Sequence, residues 1–264
     1  MITVDVEERG TPLLLSLPHT GTGLPKGLAE RLTEAGRALV DTDWHVDRLY
    51  AFADATGATT VKAGFSRYVI DVNRDPSGQS LYPGQATTGL CPTTTFDGEP
   101  LYLSGEEPDA AEIEDRRQRW FEAYHQALAA QIARLKERFG TVRLYDCHSI
   151  RSVVPRLFKG TLPVLNLGTN EGRSCSPALR AQLVAVMAES GLTHVADGRF
   201  KGGWITRHYG DPSNGIEAVQ MELAQSAYMD EAPPWPYRAD LAARLEPTLR
   251  RLLETLLAAK GEKT

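Results

Sequence analysis

The sequence predicts an α/β protein in which helices pack on a largely parallel or mixed sheet. Short apolar runs alternate with longer segments of helical periodicity along most of the chain. Two of the strand-like segments carry a histidine near their end, His19 and His148. Open α/β folds build their sites at the carboxyl ends of strands, so we expect both imidazoles at one edge of the sheet. A chain of 264 residues is long enough for a single domain over 1–264 with a large core.

Composition narrows the function classes. Hydrophobic residues make up 42% of the chain and charged residues 24%, as in an average globular protein. The net charge of −5 and the lack of a long basic block argue against a nucleic-acid partner and favour a small anionic ligand. No apolar stretch approaches the roughly 20 residues of a membrane span, and no signal region is recognisable, so a cytoplasmic protein is expected. The three cysteines are predicted to be reduced, which leaves histidine and carboxylate as metal ligands.

The first half of the chain predicts a strand-to-helix unit followed by a long irregular segment. Residues 12–17 form an apolar strand ending before a proline, and residues 33–56 show helical spacing in their second half. Residues 59–63 and 68–72 are short and rich in β-branched side chains, which predicts two more strands. Residues 73–108 are dense in Gly, Pro, Thr and Ser, so they predict a long loop or small subdomain near the site.

The second half continues the alternation. Its clearest helix covers residues 109–139, which are acidic at the start, periodically apolar and closed by Gly140. Beyond it we predict two strands, at residues 141–147 and 162–167, and two helices, at residues 176–190 and 240–259. One further element is predicted at residues 220–227, near a carboxylate.

The two histidines, with carboxylates nearby, suggest a divalent metal. Side chains alternate along a strand, so Asp146 and His148 face the same way and Asp146 can accept the second imidazole N–H. Such a carboxylate fixes the tautomer of a metal-bound histidine. A buried histidine that merely hydrogen-bonds a neighbour is the alternative reading of His148, and pairing with His19 weakens it.

A third ligand is sought in Asp41-Thr-Asp-Trp-His-Val-Asp-Arg48. Asp43 and Asp47 would share one face of a helix, and Asp47 would lie beside its apolar stripe. Acidic residues that stabilise a helix N-terminus are the alternative, which accounts for Asp41 and Asp43 better than for Asp47.

Anion-binding groups are expected on two segments. Arg67 and Arg74 flank the third predicted strand, and guanidinium groups bind carboxylates with two parallel hydrogen bonds. One of them could instead pair with Asp71. Asn166 and Arg173 belong to a buried strand and the glycine-bearing loop after it, which suits anion capture unless the glycines only make a turn.

Glu222 is a candidate general base. Alternation over residues 219–223 puts Gln220 and Glu222 on the face opposite Met221. A late carboxylate facing a two-histidine metal could take a proton from the attacking water, although a surface position is about as compatible with the sequence.

With these motifs assembled, the chain resembles the N-formylglutamate amidohydrolases over nearly its whole length. The resemblance rests on seven motifs: Ser16-Leu-Pro-His-Thr-Gly21, Asp41-Thr-Asp-Trp-His-Val-Asp-Arg-Leu-Tyr50, Ser66-Arg-Tyr-Val-Ile-Asp-Val-Asn-Arg74, Leu81-Tyr-Pro-Gly84, Thr88-Gly-Leu-Cys-Pro92, Pro163-Val-Leu-Asn-Leu-Gly-Thr-Asn-Glu-Gly-Arg173, and Gln220-Met-Glu222 with Tyr228-Met-Asp230. It implies hydrolysis of N-formyl-L-glutamate to formate and L-glutamate in histidine degradation. It also implies a three-layer α/β/α fold with a mixed central sheet, similar to the zinc carboxypeptidases and of the phosphorylase/hydrolase-like type.

The resemblance implies a zinc site at His19 and His148 with Glu222 as base. Carboxypeptidases have a glutamate ligand three residues after the first histidine, but Thr22 stands there in this sequence and is a poor zinc ligand. We therefore expect Asp47 to complete the site, with Asp43 or His45 as alternatives.

The substrate carboxylates would be held by arginine, since burying two negative charges unpaired would be prohibitive. The candidates are Arg67, Arg74, Arg151 and Arg173. His208 would stabilise the oxyanion or bind a carboxylate.

Two other functions remain open. One is a zinc amidohydrolase that acts on a different N-acylated acidic amino acid. The other is a non-catalytic protein that binds dicarboxylic amino acids and uses its histidines only as hydrogen-bonding groups. The sequence leaves the oligomeric state undetermined.

Overall fold

A mixed seven-stranded sheet forms the centre of the protein, as seen in a computed structural model that describes residues 3–79, 84 and 87–259. Within those residues the strands are β1 (Val4–Glu7), β2 (Leu13–Leu17), β3 (Thr59–Ala63), β4 (Val142–Ile150), β5 (Leu165–Gly168), β6 (His194–Ala196) and β7 (Ile216–Ala224). Their spatial order is β1-β3-β2-β4-β7-β5-β6. The strands β3, β2, β4 and β7 are mutually parallel, whereas β1 and β5 run antiparallel to β3 and β7. The sheet is therefore mixed, as predicted.

The described part of the chain contains eight α-helices: α1 (Leu28–Arg31), α2 (Glu34–Ala38), α3 (Val46–Leu49), α4 (Ala110–Arg116), α5 (Glu122–Phe139), α6 (Pro177–Glu189), α7 (Trp204–Tyr209) and α8 (Ala239–Ala258). A π-helical segment, Arg117–Phe121, joins α4 to α5, so the helix predicted over 109–139 is confirmed with one π segment inside it. Asp109 caps its start with a hydrogen bond from the Glu112 N–H, and Gly140 ends it in the left-handed conformation. No helix among these residues has the length and apolar character that crossing a membrane requires.

Helices cover both faces of the sheet. Leu13, Leu15 and Leu17 of β2 pack into a core that includes α6 and α8, whereas Leu14 between them packs into a second core that includes α5. This alternation follows from the two faces of a strand. The predicted α/β/α layering is therefore confirmed.

Most predicted elements are found within a few residues of their expected bounds, but the prediction of a strand over residues 68–72 is wrong. These residues form turns, in which the Val69 N–H donates to Ser66 O, and they are buried on all sides. Their β-branched composition reflects burial, which favours the same residue types as a strand does. The described part of residues 73–108 contains isolated β-bridges and neither a helix nor a strand.

Three adjacent parallel strands position the site. β2, β4 and β7 end at the same edge of the sheet, where His19 follows β2 and His148 and Glu222 lie near the ends of β4 and β7. His148 and Glu222 are direct neighbours in the ladder. The sheet alone thus brings two imidazoles and a carboxylate together.

Candidate active site

The carboxyl-end edge of the sheet forms the floor of a cavity. His19, His148 and Glu222 line it together with Asn73, Arg74 and Gln220. Phe96 and Phe200 add apolar wall. The sequence-based expectation that His19, His148 and Glu222 meet at one edge is geometrically fulfilled.

Each histidine is oriented by a buried carboxylate at its Nε2 atom. His19 Nε2 lies 2.8 Å from Asp71 Oδ1, and His148 Nε2 lies 2.9 Å from Asp146 Oδ2. A carboxylate only accepts hydrogen bonds, so each Nε2 carries the proton and each Nδ1 is turned the other way. The two ring centroids are 4.9 Å apart. Asp146 occupies the predicted supporting position, while Asp71 was expected only as a partner for arginine.

Both Nδ1 atoms face Asp43. Asp43 Oδ2 lies 3.0 Å from His148 Nδ1 and 3.7 Å from His19 Nδ1, and it accepts the Ser149 N–H at 3.2 Å. Burial opposes ionisation of the Asp43 carboxyl, but the two imidazoles that face it outweigh burial and hold its pKa well below the usual range. One potential ligand atom from each of the three residues lies within 4.8 Å of the others.

This donor set fits a divalent metal. His19 Nδ1 is buried and has no hydrogen-bond partner among the residues that the structure describes, although it points toward Asp43 and His148. A buried polar atom without a partner is costly, and a bound cation would satisfy it. Two imidazoles and one carboxylate are the protein ligands of several catalytic zinc sites, which leave a further position open. The residues present therefore fit the metal that the sequence suggested.

Asp47 does not join this cluster, and the inward orientation expected for it is wrong. Its side chain is 47% exposed, and its Oδ2 lies 3.7 Å from Lys62 Nζ at the surface. The regular helix assumed from the sequence begins only at Val46, so Asp43 lies in the preceding turn, where its N–H donates to His19 O. His45 has a positive φ of 61° and directs its Nε2 to Trp235 O, away from the cluster.

Arg67 neutralises the buried carboxylates beside the histidines. Its Nη2 donates to Asp71 Oδ2 at 2.7 Å, and its Nη1 lies 3.5 Å from Asp43 Oδ1. The guanidinium also lies over the Phe96 ring, 4.7 Å from its centroid. Arg67 lines the cavity as expected of a substrate-binding residue, but its hydrogen bonds are directed to the acids that support the histidines.

Glu222 is 7% exposed and sits beside His148 at the cavity floor. Burial raises the pKa of its carboxyl to about 8, an increase that the neighbouring His148 only partly opposes. A carboxyl with a pKa near neutrality can exchange a proton at working pH, which is the property of an acid–base group.

The other predicted substrate-binding residues divide into those inside and those outside the cavity. Arg74 lines it and is held by Thr88, whose carbonyl accepts from Nε and whose Oγ1 accepts from Nη2. Arg151 pairs with Asp97, and Arg173 pairs with Glu171 at the surface, so neither is among the lining residues.

Asn166 and His208 also lie elsewhere than expected. Asn166 is buried behind Glu222, and its Nδ2 donates to the backbone oxygen of Glu222 at 3.0 Å. His208 stacks on Trp204 with ring centroids 4.8 Å apart and does not line the cavity. Neither side chain is brought to the histidine cluster.

Sequence reasoning did not select several residues that line the cavity. Asn73, Phe96, Arg199, Phe200 and Gln220 are among them. The strand alternation that selected Glu222 also places Gln220 on the same face, so a usable signal existed there. Most of the motif at 81–84 lies outside the described residues.

Comparison with known proteins gives concordant results. The family model described as N-formylglutamate amidohydrolase matches residues 11–229. A protein of Pseudomonas aeruginosa named N-formylglutamate deformylase is 54% identical over 96% of this chain and 95% of its own length. A protein of the same name from Pseudomonas putida is 50% identical over 96% of this chain and 94% of its own length. The crystal structure of N-formylglutamate amidohydrolase from Ralstonia eutropha JMP134 is similar, with a TM-score of 0.79, 25% identity and 97% of each chain covered.

Proposed function

Because this chain belongs to the N-formylglutamate amidohydrolase family, we propose that it hydrolyses N-formyl-L-glutamate to formate and L-glutamate. The observation that carries the proposal is that Glu222 lines the same cavity as His19 and His148, which form a cluster with Asp43. As the resemblance implies, the reaction would serve histidine degradation, and we propose that it takes place in the cytoplasm.

We propose that His19, Asp43 and His148 are the ligands of a divalent metal, and that this metal is zinc because of the donor types. Such an ion would supply Lewis-acid polarisation of the formyl carbonyl and a lowered pKa for water. The chain itself prepares the site, because Asp71 and Asp146 fix the tautomers that leave both Nδ1 atoms available.

Glu222 is proposed to carry the proton. Its carboxylate takes a proton from the attacking water and returns it to the amide nitrogen as the C–N bond breaks. Its burial beside His148 keeps the group away from bulk water, and its raised pKa favours accepting that proton. Formate and L-glutamate, with its amino group free, are then the products.

Arg74 is a stronger candidate than Arg67 for binding a substrate carboxylate. Arg74 lines the cavity, is 23% exposed and has its Nη2 3.6 Å from Asp71 Oδ2, whereas Arg67 is 6% exposed and donates to the same oxygen at 2.7 Å. Arg199 also lines the cavity and would suit the second carboxylate. Phe96 and Phe200 offer apolar contact for the methylene groups between the two carboxylates.

Substrate specificity tests the activity. Purified protein is assayed for release of the amino acid from N-formyl-, N-acetyl- and N-succinyl-L-glutamate. We expect turnover of the formyl compound and much slower turnover of the other two. Comparable rates for all three would overturn the formyl assignment in favour of a broader amidohydrolase, and no turnover with measurable glutamate binding would favour a binding protein.

Metal removal tests the second part of the proposal. Activity should be lost on dialysis against a chelator and should return on addition of Zn²⁺. Full activity in protein shown to be metal-free would overturn the metal proposal.

A further inference from the structure

We propose that Gln220 is a positioning residue that holds Glu222 for proton transfer, with its own amide fixed by the backbone N–H of Gly203. This inference rests on the proposed role of Glu222. It concerns a side chain to which the family resemblance and the comparisons assign no role.

Gln220 and Glu222 form a pair on one face of β7. They are two residues apart, so their side chains point to the same side of the sheet, and both line the cavity. Gln220 is 3% exposed. Its Nε2 donates to Glu222 Oε2 at 3.3 Å.

The orientation of the Gln220 amide follows from its other hydrogen bond. Gln220 Oε1 accepts the Gly203 N–H at 2.7 Å. Because a backbone N–H can only donate, it requires the oxygen of the amide, and the NH₂ group is then turned toward Glu222. A carboxylate only accepts, so this orientation satisfies both partners. The reversed amide would leave the Gly203 N–H without an acceptor and direct an oxygen at the carboxylate.

Gly203 is itself fixed against the histidine side of the site. A Cβ at this position would lie 2.4 Å from Asn73 Nδ2, so the backbone approaches Asn73 more closely than any other residue would allow. Asn73 Oδ1 accepts the Ile205 N–H at 2.8 Å, and Asn73 Nδ2 donates to Asp146 Oδ2 at 3.1 Å. The segment that holds Gln220 is therefore also tied to the carboxylate that orients His148.

These contacts connect the proton carrier with the metal-binding side through one short segment. A terminal carboxylate torsion is soft, and a donor at Oε2 restricts its rotation. Small losses of alignment between reacting groups cost large factors in rate. Loss of the Gln220 donor should therefore lower kcat and leave substrate binding nearly unchanged.

Two substitutions separate the donor role from a merely structural one. Gln220→Met keeps the length of the side chain and removes both hydrogen bonds. Gln220→Glu keeps an acceptor for the Gly203 N–H and, when ionised, offers no donor to Glu222. We expect both variants to lower kcat at least about tenfold, the scale of one hydrogen bond to a charged group, with KM within threefold and metal content unchanged.

Gln131→Met is a matched control. Gln131 is also buried and its Nε2 also donates to a glutamate, Glu8, at 2.8 Å, but it lies on α5 outside the cavity. We expect this variant to keep the kcat of the parent protein. The parent, the three variants and Glu222→Gln are compared for kcat, KM, bound metal and melting temperature.

The outcomes distinguish the inference from the function on which it rests. Retention of kcat within twofold in Gln220→Met or Gln220→Glu, while Glu222→Gln has lost turnover, would overturn the inference alone. A change confined to KM or to bound metal would also overturn it, because it would make Gln220 a substrate contact or a support of the ligands. Retained turnover in Glu222→Gln would instead overturn the proposed base. If Gln220→Met does not fold, Gln220→Glu decides, since it retains the bond to Gly203.

Discussion

Replacing Asp43 by asparagine is expected to abolish tight metal binding, while the same change at Asp47 leaves it intact. The two carboxylates are four residues apart, but only Asp43 faces the imidazoles of His19 and His148. Asparagine keeps the size of the side chain and one acceptor oxygen and removes the charge. The pair of variants therefore isolates the position of the carboxylate.

The magnitude follows from the contacts of each carboxylate. Loss of a residue that only supports a ligand typically weakens metal binding about 10- to 100-fold, so loss of a ligand should exceed about 100-fold. At about 1.4 kcal/mol per tenfold, this is at least about 2.8 kcal/mol of metal-binding free energy. In the absence of metal, the Asp43→Asn variant should lose about 3 kcal/mol of unfolding free energy or less. The reason is that Asp43 is only one member of a buried charge cluster, and His148 still has its hydrogen bond to Asp146.

Asp47 should contribute far less. Its side chain is 47% exposed and that of Lys62 is 38% exposed, with 3.7 Å between the charged atoms. Exposed pairs of this kind contribute about 0–1 kcal/mol. We expect the Asp47→Asn protein to match the parent in metal affinity and turnover.

Zinc affinity is measured by competition with a chromophoric chelator, together with kcat and with unfolding of the metal-free proteins. Parent-like zinc affinity in a folded Asp43→Asn protein would refute Asp43 as a ligand. Loss of zinc on substitution of Asp47 instead would refute the geometric reasoning as a whole.

Three further variants test the remaining roles. Glu222→Gln should keep its metal and lose at least about 100-fold in kcat, which is the usual contribution of a general base. The number of metal ions bound per protein is measured together with the turnover. Because the pKa of Glu222 is raised from 4.5 to about 8, the folded protein keeps a proton that the unfolded chain releases, and stability falls as pH rises between these values. The metal-free Gln variant should therefore melt higher than the parent at pH 8.5, and an equal or lower melting temperature would contradict the raised pKa. Asp146→Asn should weaken zinc binding about 10- to 100-fold in the competition assay, since it orients His148. Arg74→Met should lower kcat/KM about 10- to 100-fold, because a charge-assisted contact to the substrate is lost. Arg173→Met changes a surface residue and should leave kcat/KM unchanged. Equal effects of the two substitutions would argue against a carboxylate site at Arg74.

The fold was largely predictable because its elements carry local signals. The helix over 109–139 has an acidic start, an apolar stripe and a terminal glycine, and the apolar run at 12–17 is found as β2. The prediction of a strand at residues 68–72 was wrong because full burial and strand pairing favour the same residue types. The short edge strands β1 and β6 have partly exposed side chains and gave too weak a pattern to be predicted.

Strand ends were the reliable guide to the site. His19 and His148 were selected because they lie at the ends of predicted strands, and parallel neighbours bring such positions together. Glu222 was selected by the alternation of side chains over residues 219–223. Asp146 was selected by alternation on the same strand as His148 and lies at its Nε2. Each inference needed only the period of a strand.

The sequence by itself determined the layered α/β architecture, the family resemblance and the strand-borne part of the candidate site, because these depend on local periodicity and on motifs. Tertiary structure decided what lies on irregular backbone. It selected Asp43 over Asp47 because the chain turns before α3 begins, and it directed Asp71 to His19 across 52 residues. It also tied Gln220 to Gly203 and Asn73. Such contacts join segments that are distant in sequence, and no local period encodes the distance between them.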